Sequence, residues 1–212
     1  MLLQHEALRK AMAQDTPLAD RLVFTPLLES NQVGPASVDL RLGSDFFVLR
    51  HARGGGLDPA KDKQEEVEQL QERVKVPIGG RFWLHPGHFA LGATLEFLRM
   101  PRDMGAYLLA RSSWGRVGLL VATAVMVQPG YTGTLTLELV NEGDSPIALY
   151  PGLRVAQLAV HRLEGPTKKP YNVGRRKYAS PTGPQVSRLA WDRKEMSKVK
   201  KLQKRLTSIS GA

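Results

Sequence analysis

Between Lys75 and Leu163, short apolar segments alternate with turn signals so regularly that no long helix fits. The turns are His85-Pro86-Gly87, Gln128-Pro129-Gly130, Asn141-Glu142-Gly143 and Tyr150-Pro151-Gly152. Proline lacks a backbone donor and glycine adopts conformations other residues avoid, so each turn ends the element before it. The segments between them predict strands at 81–84, 89–97, 106–110, 119–127, 134–140, 147–149 and 154–163. Many short strands with turns of this kind imply an all-β chain with minor helices, folded as a barrel or sandwich.

The first half is less regular. Leu3, Ala7, Leu8 and Ala11 recur at helical spacing and predict a short helix over residues 2–13. Ser37-Val38-Asp39-Leu40-Arg41-Leu42 alternates polar with apolar, as a half-buried strand does, and Gly43 ends it. Residues 46–49 are the expected hairpin partner. Residues 53–63, with three successive glycines, predict a loop, and 64–73 a charged surface helix. The expected organisation is a β domain over 1–164, a tail over 165–187 and a basic, helical extension over 188–212.

The net charge of +10 suggests a nucleic-acid binder until it is located. Residues 1–164 carry 17 basic and 18 acidic side chains, against 13 and 2 in residues 165–212. The excess belongs to the tail, which could hold polyanions non-specifically without defining the chemistry of the body. The chain has no cysteine, which excludes disulfides, thiolate zinc sites and cysteine nucleophiles. No apolar run approaches the ~18 residues of a membrane span, and no signal-peptide pattern opens the chain, so a cytoplasmic, membrane-free protein is expected.

Two segments can carry chemistry. Arg111-Ser112-Ser113-Trp114-Gly115-Arg116-Val117-Gly118 follows an apolar strand, and its hydroxyls and guanidinium forks suit a polyphosphate. The plainer alternative is a serine N-cap on a short helix. In Thr134-Leu135-Thr136-Leu137-Glu138-Leu139-Val140, period two sets the leucines on one face and Thr134, Thr136 and Glu138 on the other. Glu138 is then either one more polar residue on a wet face or a carboxylate held rigidly beside a pocket. His85 and His88 straddle a turn without a nearby third ligand, so no metal site is expected.

Taken in order, Ala36-Ser37-Val38-Asp39-Leu40-Arg41-Leu42-Gly43, Leu84-His85-Pro86-Gly87, the segment Ala110 to Leu119, Pro129-Gly130-Tyr131-Thr132-Gly133, Leu137-Glu138-Leu139-Val140-Asn141, Tyr150-Pro151-Gly152, Pro170-Tyr171-Asn172 and Lys177-Tyr178 resemble the dCTP deaminase branch of the dUTPase-like superfamily. The resemblance implies a distorted β-barrel of jelly-roll type that assembles as a homotrimer with shared sites. It implies zinc-independent conversion of dCTP to dUTP and ammonia, with Mg2+ bound through the nucleotide triphosphate. By the same resemblance Arg111, Ser112 and Ser113 hold phosphates, and Ser112 and Arg116 organise the catalytic water. Glu138 is the catalytic base, and Tyr171 and Lys177 close the tail over the nucleotide. Further substrate contacts fall on Trp114, Gly115, Ala124, Gln128, Thr136 and Leu137. The chain departs from the family pattern where Val121-Ala122-Thr123-Ala124 is one residue short and Gln128 replaces an aspartate.

Three other classes compete. One is a nucleotide-binding member of the fold without catalysis. Another is a dUTPase, which needs a water-activating carboxylate near position 128. The third is a nucleic-acid binder acting through the tail.

Overall fold

The computed structural model describes every residue except 51–55, 59–60, 122–125, 172–177, 179, 193–194, 196–197, 200 and 203–212. The chain divides into two units, Met1–Val48 with Arg73–Gln185 and Leu49–Glu72 with Val186–Ala212.

In chain order the elements are α1 (His5–Ala11), β1 (Val23–Thr25), β2 (Val38–Arg41), β3 (Asp45–Leu49), α2 (Gln64–Gln69), β4 (Gln71–Lys75), β5 (Phe82–Leu84), β6 (Phe89–Arg99), β7 (Met104–Ala110), α3 (Ser112–Gly115), β8 (Leu119–Val121), β9 (Met126–Val127), β10 (Thr132–Asn141), β11 (Ile147–Leu149) and β12 (Arg154–Arg162). One sheet runs β4-β3-β6-β10-β8 with β1 on β6, a second runs β2-β12-β7-β9, and β11 pairs with β5. The mostly-β class read from the turn signals is the observed one. Among the described residues no helix is long and apolar enough to cross a membrane.

The core follows the alternation along the strands. Leu137 and Leu139 of β10, Leu40 of β2, and Val155 and Leu158 of β12 are fully buried. A leucine buried this completely contributes roughly 1.5–3 kcal/mol. The pairing of β10 with β6 slips between Thr134 and Thr136, and the Thr94 hydroxyl accepts the Leu135 amide at the irregularity, 3.0 Å away. A displaced backbone donor is thereby satisfied.

Four expectations change. The strand expected over 119–127 is two strands in different sheets, β8 pairing with β10 and β9 with β7. β2 and β3 are not a hairpin: β2 pairs with β12, and β3 with β6. The chain crosses between sheets at Leu42 and Gly43, whose amides donate to Leu153 and Ala93 respectively. α1 starts only at His5, because the Leu3 amide donates to Val160 and Leu2 bridges His161 as an added edge. The charged helix over 64–73 stops at Gln69, and the chain continues as β4.

In the second unit, α2 packs with the 3₁₀ turn Leu189–Asp192. Gln64 Nε2 donates to the Ser187 carbonyl at 2.8 Å, and the Ser187 amide donates to Gln71 Oε1 at 3.1 Å. Of the helical extension expected over 188–212, Leu189–Asp192 form the 3₁₀ turn, Glu195, Lys198, Val199, Lys201 and Leu202 are helical, and the other positions after Asp192 lie outside the described residues.

Candidate active site

β7 pairs with β12 up to Ala110 opposite Ala156, and the Arg111 amide extends the ladder to Val155. The chain then turns sharply: the amides of Trp114 and Gly115 both donate to the Arg111 carbonyl, giving the single helical turn α3. Trp114 Nε1 donates to the Arg154 carbonyl at 2.8 Å and pins that turn against β12. Arg111 occupies the cap position, and no side chain caps the helix. The serine N-cap alternative therefore fails, and the exposed hydroxyls of Ser112 and Ser113 are free of that duty.

A cavity of about 640 Å³ opens on this turn. Arg111, Ser113, Trp114 and Val117 line it from the turn, with Arg41 and Arg154 from β2 and β12 and Glu29 and Asn31 from the segment before β2. Three guanidiniums in one cavity of this size suit a phosphate chain. Sequence patterning alone does not mark Arg41, Asp39, Glu29 and Arg154 as site residues. What signal there is lies in Val38-Asp39-Leu40-Arg41, whose alternation sets Asp39 and Arg41 on one face.

Glu138 stands elsewhere on the unit and does not line the cavity. Period two holds from Leu135 onward: Leu135, Leu137 and Leu139 are buried, while Thr136 and Glu138 are half-buried. Thr134, expected on the outer face, is buried under Pro181 at the register slip. Glu138 pairs with Leu91 of β6, and the next residue, Leu139, pairs with Val121 of β8. Burial holds its carboxyl above the ordinary 4.5. The arginine–serine segment reaches β10 through its far end. Gly118 has φ +90°, its carbonyl accepts the Glu142 amide at 2.9 Å, and an added Cβ would lie 2.5 Å from Gly143 N. Only glycine permits that approach. Arg116, two residues earlier, is exposed.

The tail docks on the turn before β10. The Tyr171 amide donates to the Pro129 carbonyl, and its ring lies 5.7 Å from that of Tyr131. Farther on, the Thr134 amide donates to Pro181, and the Gln185 amide to the Thr136 hydroxyl at 3.1 Å. Gly133, at φ +134°, leaves room for Pro181, whose Cδ would sit 2.4 Å from a Cβ there. Gln128 is exposed and accepts the Tyr131 amide with its backbone carbonyl. Ala124 and Lys177 lie outside the described residues.

A mostly-β chain with an arginine-lined cavity at a strand-to-helix turn, and a half-buried carboxylate on a long strand, has the layout of a nucleotide-handling protein. Residues 2–163 match the dCTP deaminase-like family, and the chain belongs to it. It is similar to a dCTP deaminase from Haloarcula marismortui, 43% identical over 175 residues, covering 81% of this chain and 89% of that one. It is also 41% identical, over the same shares, to a dUMP-forming dCTP deaminase from Methanobrevibacter smithii. Among solved structures, the 2'-deoxycytidine 5'-triphosphate deaminase from Agrobacterium tumefaciens superposes with a TM-score of 0.56 at 27% identity. That match covers 75% of this chain and 47% of the other.

Proposed function

We propose that this protein is a hydrolase that deaminates dCTP in the cytoplasm, releasing ammonia and dUTP. The reading is carried by Glu138, a half-buried carboxylate whose burial raises its pKa, on a strand fixed between β6 and β8. A carboxylate poised nearer neutrality can accept a proton and return it within one cycle. Glu138 takes a proton from water as the oxygen attacks C4 of the cytosine. It delivers that proton to ring N3, then carries the proton of the new C4 hydroxyl to the amine, so that collapse of the tetrahedral carbon to a carbonyl expels ammonia. Arg111 and Ser113 hold the triphosphate, which fixes the base against the water.

Ser112 and Arg116, exposed on the same turn, are assigned to the water, and Tyr171 and Lys177 to closure of the tail. A site shared between chains follows from this reading, and the expected homotrimer would provide it. Glu138 does not line the cavity of its own chain, so a neighbouring chain's turn is needed to complete the site. The exposed apolar side chains of Tyr107, Leu109, Leu120 and Met126 supply a surface for that neighbour. The cavity donors are guanidiniums and a hydroxyl, and its carboxylate Glu29 is already engaged by arginines. Such a set fits a magnesium ion carried by phosphate oxygens, where it would neutralise the triphosphate.

dUTP is favoured over dUMP because hydrolysis at the α-phosphorus needs a second base. Gln128 is an amide that accepts no proton near neutral pH. The dUMP-forming names of relatives such as that of Methanobrevibacter smithii favour the other product. Phosphorus NMR of a reaction with dCTP and magnesium separates the two. The expected outcome is ammonia with a persisting triphosphate, and pyrophosphate would give the second reading.

A further inference from the structure

The three arginines of the cavity do not stand independently. Arg41 Nη2 lies 3.2 Å from Glu29 Oε2, and Glu29 also pairs with Arg154 Nη2, which bonds Asn31 Oδ1 as well. Arg154 Nη1 then reaches Asp39 Oδ2 at 3.2 Å, and the same oxygen lies 3.6 Å from Arg111 Nη1. Charges therefore alternate from Arg41 through Glu29, Arg154 and Asp39 to Arg111. The Arg41 end is anchored in the protein. Its Nη1 donates to the Gly152 carbonyl at 2.6 Å, and its amide donates to the fully buried Glu96 carboxylate at 2.8 Å. The other end, Arg111, begins the segment assigned to phosphates.

We infer that Asp39 is a positioning residue for this cavity: by gripping Arg154 and Arg111 with one oxygen, it aims the Arg111 guanidinium at an anionic ligand. This rests on the reading that Arg111 and Ser113 hold the triphosphate. The side chains of Asp39 and Arg154 are both 17% exposed and that of Arg111 is 36% exposed, so the inner pair is shielded while Arg111 still meets solvent. Without the carboxylate, two like charges repel each other in a partly desolvated cavity, and Arg111 swings outward. Glu29 plays the lesser part, being half-exposed and one link farther from Arg111.

Charge counting and positioning give opposite predictions, which makes the test sharp. Asp39→Asn leaves the cavity one charge more positive, so charge alone predicts tighter anion binding. Positioning predicts that KM for dCTP rises about tenfold while kcat stays within about twofold, because only the grip on the phosphates is lost. The dissociation constant of inorganic tripolyphosphate, measured by calorimetry, should weaken by the same factor. Glu29→Gln, at an exposed position that does not threaten folding, should raise both quantities about two- to threefold. Unchanged or tighter tripolyphosphate binding in Asp39→Asn overturns the inference, as does a loss confined to kcat. If Asp39→Asn does not fold, unaltered values in Glu29→Gln overturn it instead. A wild type that releases no ammonia from dCTP, yet shows the tripolyphosphate effect, defeats the substrate reading and leaves the positioning role standing.

Discussion

Gly118→Ala tests whether the arginine–serine segment must lie against the turn after β10. Gly118 adopts φ +90°, and a left-handed conformation costs an L-residue roughly 1–2 kcal/mol. The new Cβ would meet Gly143 N at 2.5 Å and Gly143 Cα at 2.7 Å. These are backbone atoms, so no side chain can rotate away and the two segments must part. Parting them breaks the bond from the Glu142 amide to the Gly118 carbonyl, worth about 0.5–1.5 kcal/mol net. The total is about 1.5–3.5 kcal/mol, seen as a fall of several degrees in Tm by calorimetry. A displacement of about 1 Å at Arg116 should lower kcat/KM for dCTP on the order of 10²-fold. Gly115→Ala is the control for stability: nothing lies within 4 Å of its added Cβ, and its φ is not left-handed. Alanine inside that helical turn should leave Tm unchanged or raise it. A Gly118→Ala protein with wild-type Tm and kcat/KM would show that the segment need not lie against that turn.

The rate profile should show the Glu138 shift: kcat/KM climbs as the carboxyl ionises, with its acid limb above pH 4.5 because burial raises that pKa. The same shift has a stability sign. A carboxyl with a raised folded pKa contributes fully below its unfolded value, and the contribution is lost as pH rises through the folded one. Glu138→Gln should therefore unfold at a higher temperature than wild type near neutral pH, and the gain should vanish in acid. Gly133→Ala should release the Pro181 contact and raise KM, checked against urea unfolding for a loss of about 1–3 kcal/mol. Light scattering should give three times 23.4 kDa, and an active monomer would contradict the shared site. Truncation after Ser187 removes the turn that packs on α2, so proteolysis within 49–72 should accelerate while the β-rich unit keeps its unfolding transition.

The strands from Phe82 onward were legible because the Pro-Gly turns are local signals, and local chemistry decides where a strand must stop. Glu138 was legible for the same reason, since period two fixes its face once the strand is granted. Pairing was not. Nothing in Ser37–Leu49 distinguishes a hairpin from a crossing between sheets. Gly43 was read as the end of a strand, yet it is where the backbone reaches Ala93, and an added Cβ would lie 3.1 Å from the Ala93 carbonyl oxygen. β4 shows tertiary context overriding helix propensity, with the Arg73 guanidinium bound to Asp45 at 2.7 Å. The ladder of charges behind Arg111 is not legible in sequence because its members come from positions 29, 39, 41 and 154. The pairing of β2 with β12 brings Asp39 and Arg41 to Arg154, and Glu29 joins them from the segment before β2.

If Glu138 moves the proton in dCTP deamination, its amide counterpart must stop the reaction without releasing the nucleotide. Ammonia release from dCTP with magnesium is followed for wild type and Glu138→Gln at nucleotide concentrations that saturate both, with binding measured separately. Wild type should release ammonia steadily and Glu138→Gln none detectable, with nucleotide affinity nearly unchanged. Near-wild-type release from Glu138→Gln would contradict that role for Glu138.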